Sequence, residues 1–99
     1  MIAVGAADPL GQIAWYSSPG PTADGRIKPD ITAPGVNILA GASPFPDPGF
    51  YPGELFQSIG GTSMSSPHVA GAFALLKQAH PDWSPAMAKS ALMTTAYQD

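Results

Sequence analysis

Apolar positions along this chain come in short runs separated by turn residues, followed by one long unbroken stretch near the C-terminal third. Ile2-Ala3-Val4-Gly5-Ala6 has the length of a buried strand and ends at the turn signal Asp8-Pro9-Leu10-Gly11. Ile13-Ala14-Trp15-Tyr16-Ser17 is predicted as a second extended run, stopped by Ser18-Pro19-Gly20-Pro21. A polar loop with Asp24, Gly25, Arg26 and Lys28 follows. Asp30-Ile31-Thr32-Ala33 and Val36-Asn37-Ile38-Leu39-Ala40 are then two more extended segments, divided by Pro34-Gly35. Residues 41–53 hold four prolines and predict a long irregular loop, after which Glu54 to Ile59 lead, extended, to a glycine turn.

The pattern then changes period. From Val69 to Leu76 the residues are apolar around a full helical circumference, and the first charge is Lys77. A helix of that kind must be buried on every side. Covering it takes a sheet on one side and further helices around it, whereas the rest of the chain offers short strands and one more helix. A snug two-layer miniature domain is one solution; a piece of something larger is the better one. The second helix opens at Ser84-Pro85, a good N-cap followed by proline at the first helical position, and runs to about residue 96. Met87, Ala91 and Leu92 form its predicted packing face, Met87 and Met93 serve as core filler, and Trp83 packs as a staple before the cap. The division is therefore strands and loops over 1–62, a first helix over 63–80 and a second over 84–96, within a single small α/β unit.

Composition narrows the function classes. At 44% hydrophobic residues the chain has enough for a core, and disorder is not expected. A formal charge of −3 with only four basic residues leaves no patch for nucleic acid or an anionic membrane. No apolar run approaches the ~20 residues of a membrane span. Met1 to Ala7 is apolar, but the first basic residue is Arg26, so this segment is not expected to be a signal peptide. With no cysteine there is neither a disulfide framework nor a thiol metal site.

The chemistry lies in Gly60-Gly61-Thr62-Ser63-Met64-Ser65-Ser66-Pro67-His68-Val69-Ala70-Gly71. This string puts a hydroxyl at the mouth of a helix, where unpaired backbone N–H groups favour developing negative charge. Thr62 or Ser63 there can be a helix cap, or Ser63 can be a nucleophile whose oxyanion is held by the same amides. The Gly-x-Ser-x-Gly pattern of other serine hydrolases fails, because Ser65 stands at its final glycine.

The twelve-residue run resembles the nucleophile motif of subtilisin-like serine peptidases, the subtilases, in which the serine between Gly-Thr and Met is the nucleophile; here that is Ser63. The resemblance extends over nearly the whole chain. Val4-Gly5-Ala6 is similar to the strand after the family's oxyanion segment, and Ser17-Ser18-Pro19-Gly20-Pro21 to its Ser-Ser-x-Gly-Pro turn. Lys28 to Val36 resembles its Lys-Pro-Asp-x-x-Ala-Pro-Gly segment, and His80-Pro81-Asp82-Trp83-Ser84 the stretch between its last two helices. Asp30 to Leu39 and Leu92-Met93-Thr94-Thr95-Ala96 look closest to the plant-type and related bacterial branch. The resemblance implies the C-terminal segment of a mostly parallel-sheet α/β domain, with a buried helix starting at the nucleophile. Gly60 is a departure, since many members carry another residue there.

By resemblance the parent is a serine endopeptidase, secreted and acting on peptides or proteins. The family's Asp-Thr-Gly and His-Gly-Thr-His segments and its oxyanion Asn belong upstream, and residues 1–62 contain nothing like them; Asn37 lies in a later stretch and is not assigned that role. Helical geometry puts His68 about 140° around the axis from Ser63 and roughly 7.5 Å along it, with His80 about 25 Å away, so neither reaches the Ser63 hydroxyl. Asp30 is expected to serve its own turn rather than catalysis. The triad is thus incomplete in these residues, and the isolated chain is expected to be inactive until the missing N-terminal part of the domain supplies a histidine and an aspartate. Two alternatives stay open: a non-catalytic module that self-associates, and an esterase-like hydrolase built on a Ser63–His68 dyad. No cofactor is implied, and although calcium sites are common in the family, no acidic cluster has ligand spacing, so no metal is expected. Met64, beside the nucleophile, is an oxidation liability if exposed.

Overall fold

A computed structural model of the chain describes residues 1–43 and 55–97. Residues 44–53 of the predicted proline-rich loop, and Glu54 of the expected lead-in, lie outside the described residues. Four strands precede two helices: β1 (Val4–Ala7), β2 (Ile31–Pro34), β3 (Ile38–Gly41), β4 (Phe56–Ile59), α1 (Thr62–Ala79) and α2 (Pro85–Thr95). β1 and β2 pair in parallel with Val4 opposite Ile31, and β3 and β4 pair antiparallel with Ile38 opposite Ile59. The expected parallel character is therefore carried by β1 and β2, against which α1 packs.

One predicted extended run is something else. Residues 14–17 form a tight turn closed by Ser17 N–H donating to Ala14 O at 3.0 Å, and only Ile13 makes an isolated bridge, to Ala7. Trp15 and Tyr16 are β-formers by type, but the chain must reverse here to lay Ser17 against β1. The buried Ser17 hydroxyl accepts the Ala6 N–H at 3.1 Å, a tertiary bond that overrides local propensity.

The helix ends follow their local chemistry. Ser84 caps α2, its hydroxyl accepting the Met87 N–H at 3.2 Å, with Pro85 at the start of the helix. The α2 packing face is shifted from the expected one: Ala88 is buried, Ala91 and Leu92 are half-buried, and Met87 is 51% exposed. Residues 88, 91 and 92 follow the i, i+3, i+4 spacing of one helical stripe, and Met87 falls just off its edge. Trp83 is half-buried and stacks on His80, ring centroids 3.9 Å apart.

A charged clip joins the ends of the sequence. Asp30, at the start of β2, accepts the Ala3 N–H at 2.9 Å and the Lys28 Nζ at 2.9 Å, and Lys89 of α2 lies 3.6 Å away. Its partners are long-range as well as local, beyond the turn role expected of it. The Ala3 amide, with Lys28 second, lowers the Asp30 pKa to about 2.

The core is small. Among the described residues Ala6, Ala14, Val69 and Ala88 are its buried hydrophobic residues, joined by Ser17 and Ser65. The apolar helix is covered chiefly on the sheet side, with slight contact to α2: α1 buries just Ser65 and Val69, while Leu75 is 68% exposed.

Candidate active site

The glycine pair decides where α1 begins. Gly61 is the N-cap, with φ 154° and ψ 164°, a region that is in practice open to glycine alone. No side chain caps this helix. Thr62 and Ser63 are its first two helical residues, so the capping role that competes with nucleophilic chemistry belongs to neither. Ser63 is exposed at the first turn, and among the described residues its hydroxyl makes no hydrogen bond. Its backbone N–H is one of the first-turn amides without an intrahelical acceptor.

The turn is seated on the segment that follows β2. Gly61 N–H donates to Gly35 O at 2.8 Å, and the Tyr16 hydroxyl donates to the same carbonyl. Gly35 has no room for a side chain: a Cβ there would lie 2.3 Å from Ser65 Oγ, 2.7 Å from Ala6 Cβ and 2.8 Å from Gly61 O. The Gly35–Gly61 contact is thus backbone on backbone, and it hangs Ser63 from the edge of the β1–β2 pair. The sequence signal for this is thin. Pro34-Gly35 reads as a turn, and Tyr16 reads as a strand residue, so neither is singled out by pattern.

The two histidines do not reach the serine. His68 Nδ1 lies 2.8 Å from Met64 O, one turn back on its own helix, and the ring is exposed. That contact engages Nδ1 alone, and among the described residues no hydrogen bond joins His68 to Ser63. His80 is at the far end of α1, where its N–H donates to Leu76 O and its ring is stacked on Trp83. Pro67, inside α1, has no N–H to return to the Ser63 carbonyl. Met64 is half-buried. Asn37 sits in the left-handed region, φ 52°, just ahead of β3. Among the described residues no group of three or more His, Cys, Asp or Glu side chains is placed to hold a metal ion.

Ser63 thus stands exposed on the first turn of α1, its hydroxyl without a hydrogen bond among the described residues, beside first-turn backbone amides. The family model described as the subtilase family, Peptidase S8, matches residues 1–99, and the chain belongs to that family of serine peptidases. It is similar to plant members in particular. Subtilisin-like protease SBT1.4 of Arabidopsis thaliana is 51% identical over 100 residues, covering 95% of this chain and 13% of that protein. SBT3.15 of the same organism is 52% identical over 89 residues, covering 88% of this chain and 11% of the relative, and SBT1.7 is 49% identical, covering 91% and 13%. The chain thus spans about an eighth of the length of the relatives it matches.

Proposed function

We propose that this chain carries the nucleophile of a serine endopeptidase, and that Ser63 forms the acyl-enzyme. One observation supports this most: within the subtilase motif Ser63 is exposed and unpaired, and Gly61 has taken over the capping role that would otherwise occupy it. In the reaction, Ser63 Oγ attacks the scissile carbonyl carbon and gives its proton to a histidine. The Ser63 backbone N–H donates to the oxyanion. Collapse breaks the C–N bond, the histidine returns the proton to the leaving amine, and water then hydrolyses the ester by the same steps.

The histidine and the aspartate that orients it are assigned to the remainder of the parent domain: among the described residues neither His68 nor His80 is hydrogen-bonded to Ser63, and Asp30 is held by Ala3 and Lys28. The parent's substrate is a peptide or protein, and its family membership supports a secreted location. No helix among the described residues is long and apolar enough to cross a membrane.

The test is intact mass after exposure to a fluorophosphonate probe. The full-length parent acquires one adduct, which Ser63→Ala abolishes, and the isolated 99 residues, folded by circular dichroism, acquire none. An adduct on the isolated chain that is lost in Ser63→Ala would overturn the incomplete-triad reading. An adduct that survives Ser63→Ala in the parent would overturn the assignment of the nucleophile.

A further inference from the structure

We infer that Tyr16 is a positioning residue for Ser63: its hydroxyl fills the space that a side chain at position 60 would take and fixes the glycine turn from which α1 starts. The inference rests on Ser63 being the nucleophile, as proposed above.

Three segments far apart in sequence meet at one carbonyl. Gly35 O accepts from the Tyr16 hydroxyl and, at 2.8 Å, from Gly61 N–H, which uses both of its lone pairs. Gly61 is the N-cap and Ser63 the second residue of the helix, so a shift of Gly61 is carried almost rigidly to the nucleophile. Tyr16 is itself held firmly. It lies in the 14–17 turn, which is tied to β1 by Ser17 Oγ accepting Ala6 N–H and by Ala14 N–H donating to Ala6 O. Its ring meets Trp15 edge-on at 5.4 Å.

Position 60 supplies the second half of the argument. A Cβ built on Gly60 would lie 2.8 Å from the Tyr16 hydroxyl oxygen and 3.2 Å from Gly35 O. The first distance is shorter than real Cβ contacts allow. A side chain at 60 and a hydroxyl on residue 16 therefore compete for one volume beside the Gly35 carbonyl. This chain, with glycine at 60 and tyrosine at 16, places the oxygen there. The Tyr16 hydroxyl thus occupies the place beside the turn that a side chain at position 60 would take.

No hydrogen bond joins Tyr16 to Ser63, so the effect belongs to the placement of the nucleophile and not to substrate affinity. Small misplacements of a reacting group weaken turnover far more than binding. The experiment uses the full-length parent as wild type, Tyr16→Phe, Gly60→Ala, the double variant and Ser63→Ala. It reads kcat and KM on a peptide substrate and the fluorophosphonate labelling rate, each normalised to titrated, folded protein. A net hydrogen bond of ordinary strength predicts that Tyr16→Phe lowers kcat and labelling about three- to tenfold with KM little changed. Gly60→Ala lowers both further, and adding Tyr16→Phe to it restores part of the loss by removing the oxygen that the new methyl meets. Wild-type rates in Tyr16→Phe, or independent multiplicative losses in the double variant, would overturn the inference while Ser63→Ala still abolishes labelling. Labelling that persists in Ser63→Ala would instead remove the reading on which it rests.

Discussion

Gly61 shows how much of this site hangs on a single backbone conformation. At φ 154° and ψ 164° any other residue is strained, although there is open space around it: a Cβ would meet nothing closer than Met64 Sδ at 3.6 Å. Gly61→Ala in the full-length parent is therefore a test of conformation without steric overlap. It is expected to cost about 1–3 kcal/mol in urea unfolding, and the fluorophosphonate labelling rate should fall with it, because relaxing the turn moves Ser63. Asp30 gives a second residue-scale prediction. Its folded pKa of about 2 lies below the ordinary 3.8, so its stabilisation is present above pH 3.8 and is lost as pH falls towards 2. Asp30→Asn should be less stable than wild type at neutral pH, and the gap in urea midpoint should close across that acid window. The place of Ser63 at a helix start was legible in the sequence because a glycine turn precedes it and an apolar helical run follows. Tyr16 and Gly35 were not, because their roles arise from contacts 19 residues apart and from the absence of a methyl group.

Between residues and the whole, the elements divide into those set locally and those set by packing. α2 is of the first kind. Ser84 bonds the Met87 N–H and Pro85 fits the first turn, features that lie within four residues of one another and can be read directly. Ser84→Ala is expected to cost about 1 kcal/mol, whereas Ser84→Asp, which keeps an acceptor, should be close to neutral. Thermal unfolding of the two variants in the parent checks the pair. The helix starts at residues 62 and 85 were legible to within a residue for the same reason. The 14–17 turn is of the second kind. Its residues favour strands, and what reverses them is Ser17 bonding to β1, which no window of sequence contains. The α2 face fell one position from expectation: Ala88 is buried, and the longer Met87 is 51% exposed.

At the scale of the molecule the surface is out of proportion to the mass. A compact monomer of 10.1 kDa exposes about 5,300 Å², and this chain exposes 7323 Å². The excess, roughly 2,000 Å² on one chain, is more than twice the ~800 Å² that each partner gives to a standard protein interface. Much of what is exposed is apolar and large: Leu39 and Phe56 on the antiparallel pair, Leu75 on α1, Trp15 on the turn. The sequence anticipated this for α1, since a helix apolar on all sides needs more cover than these residues supply. It did not anticipate it for β3 and β4, whose alternation of apolar and polar residues is too short to define a face. Such a surface has two outlets, the remainder of the parent domain or other copies of the chain. The isolated 99 residues are accordingly expected to associate, with a sedimentation coefficient that rises with concentration and a strong response to a hydrophobic dye. Leu75→Lys should weaken that association without loss of helical circular dichroism, because the side chain lies outside the buried core. A folded monomer at every concentration the optics can follow, silent to the dye, would mean that the chain closes over its own apolar faces. In that case the exposed faces of α1 and of the β3–β4 pair could not be what binds the parent.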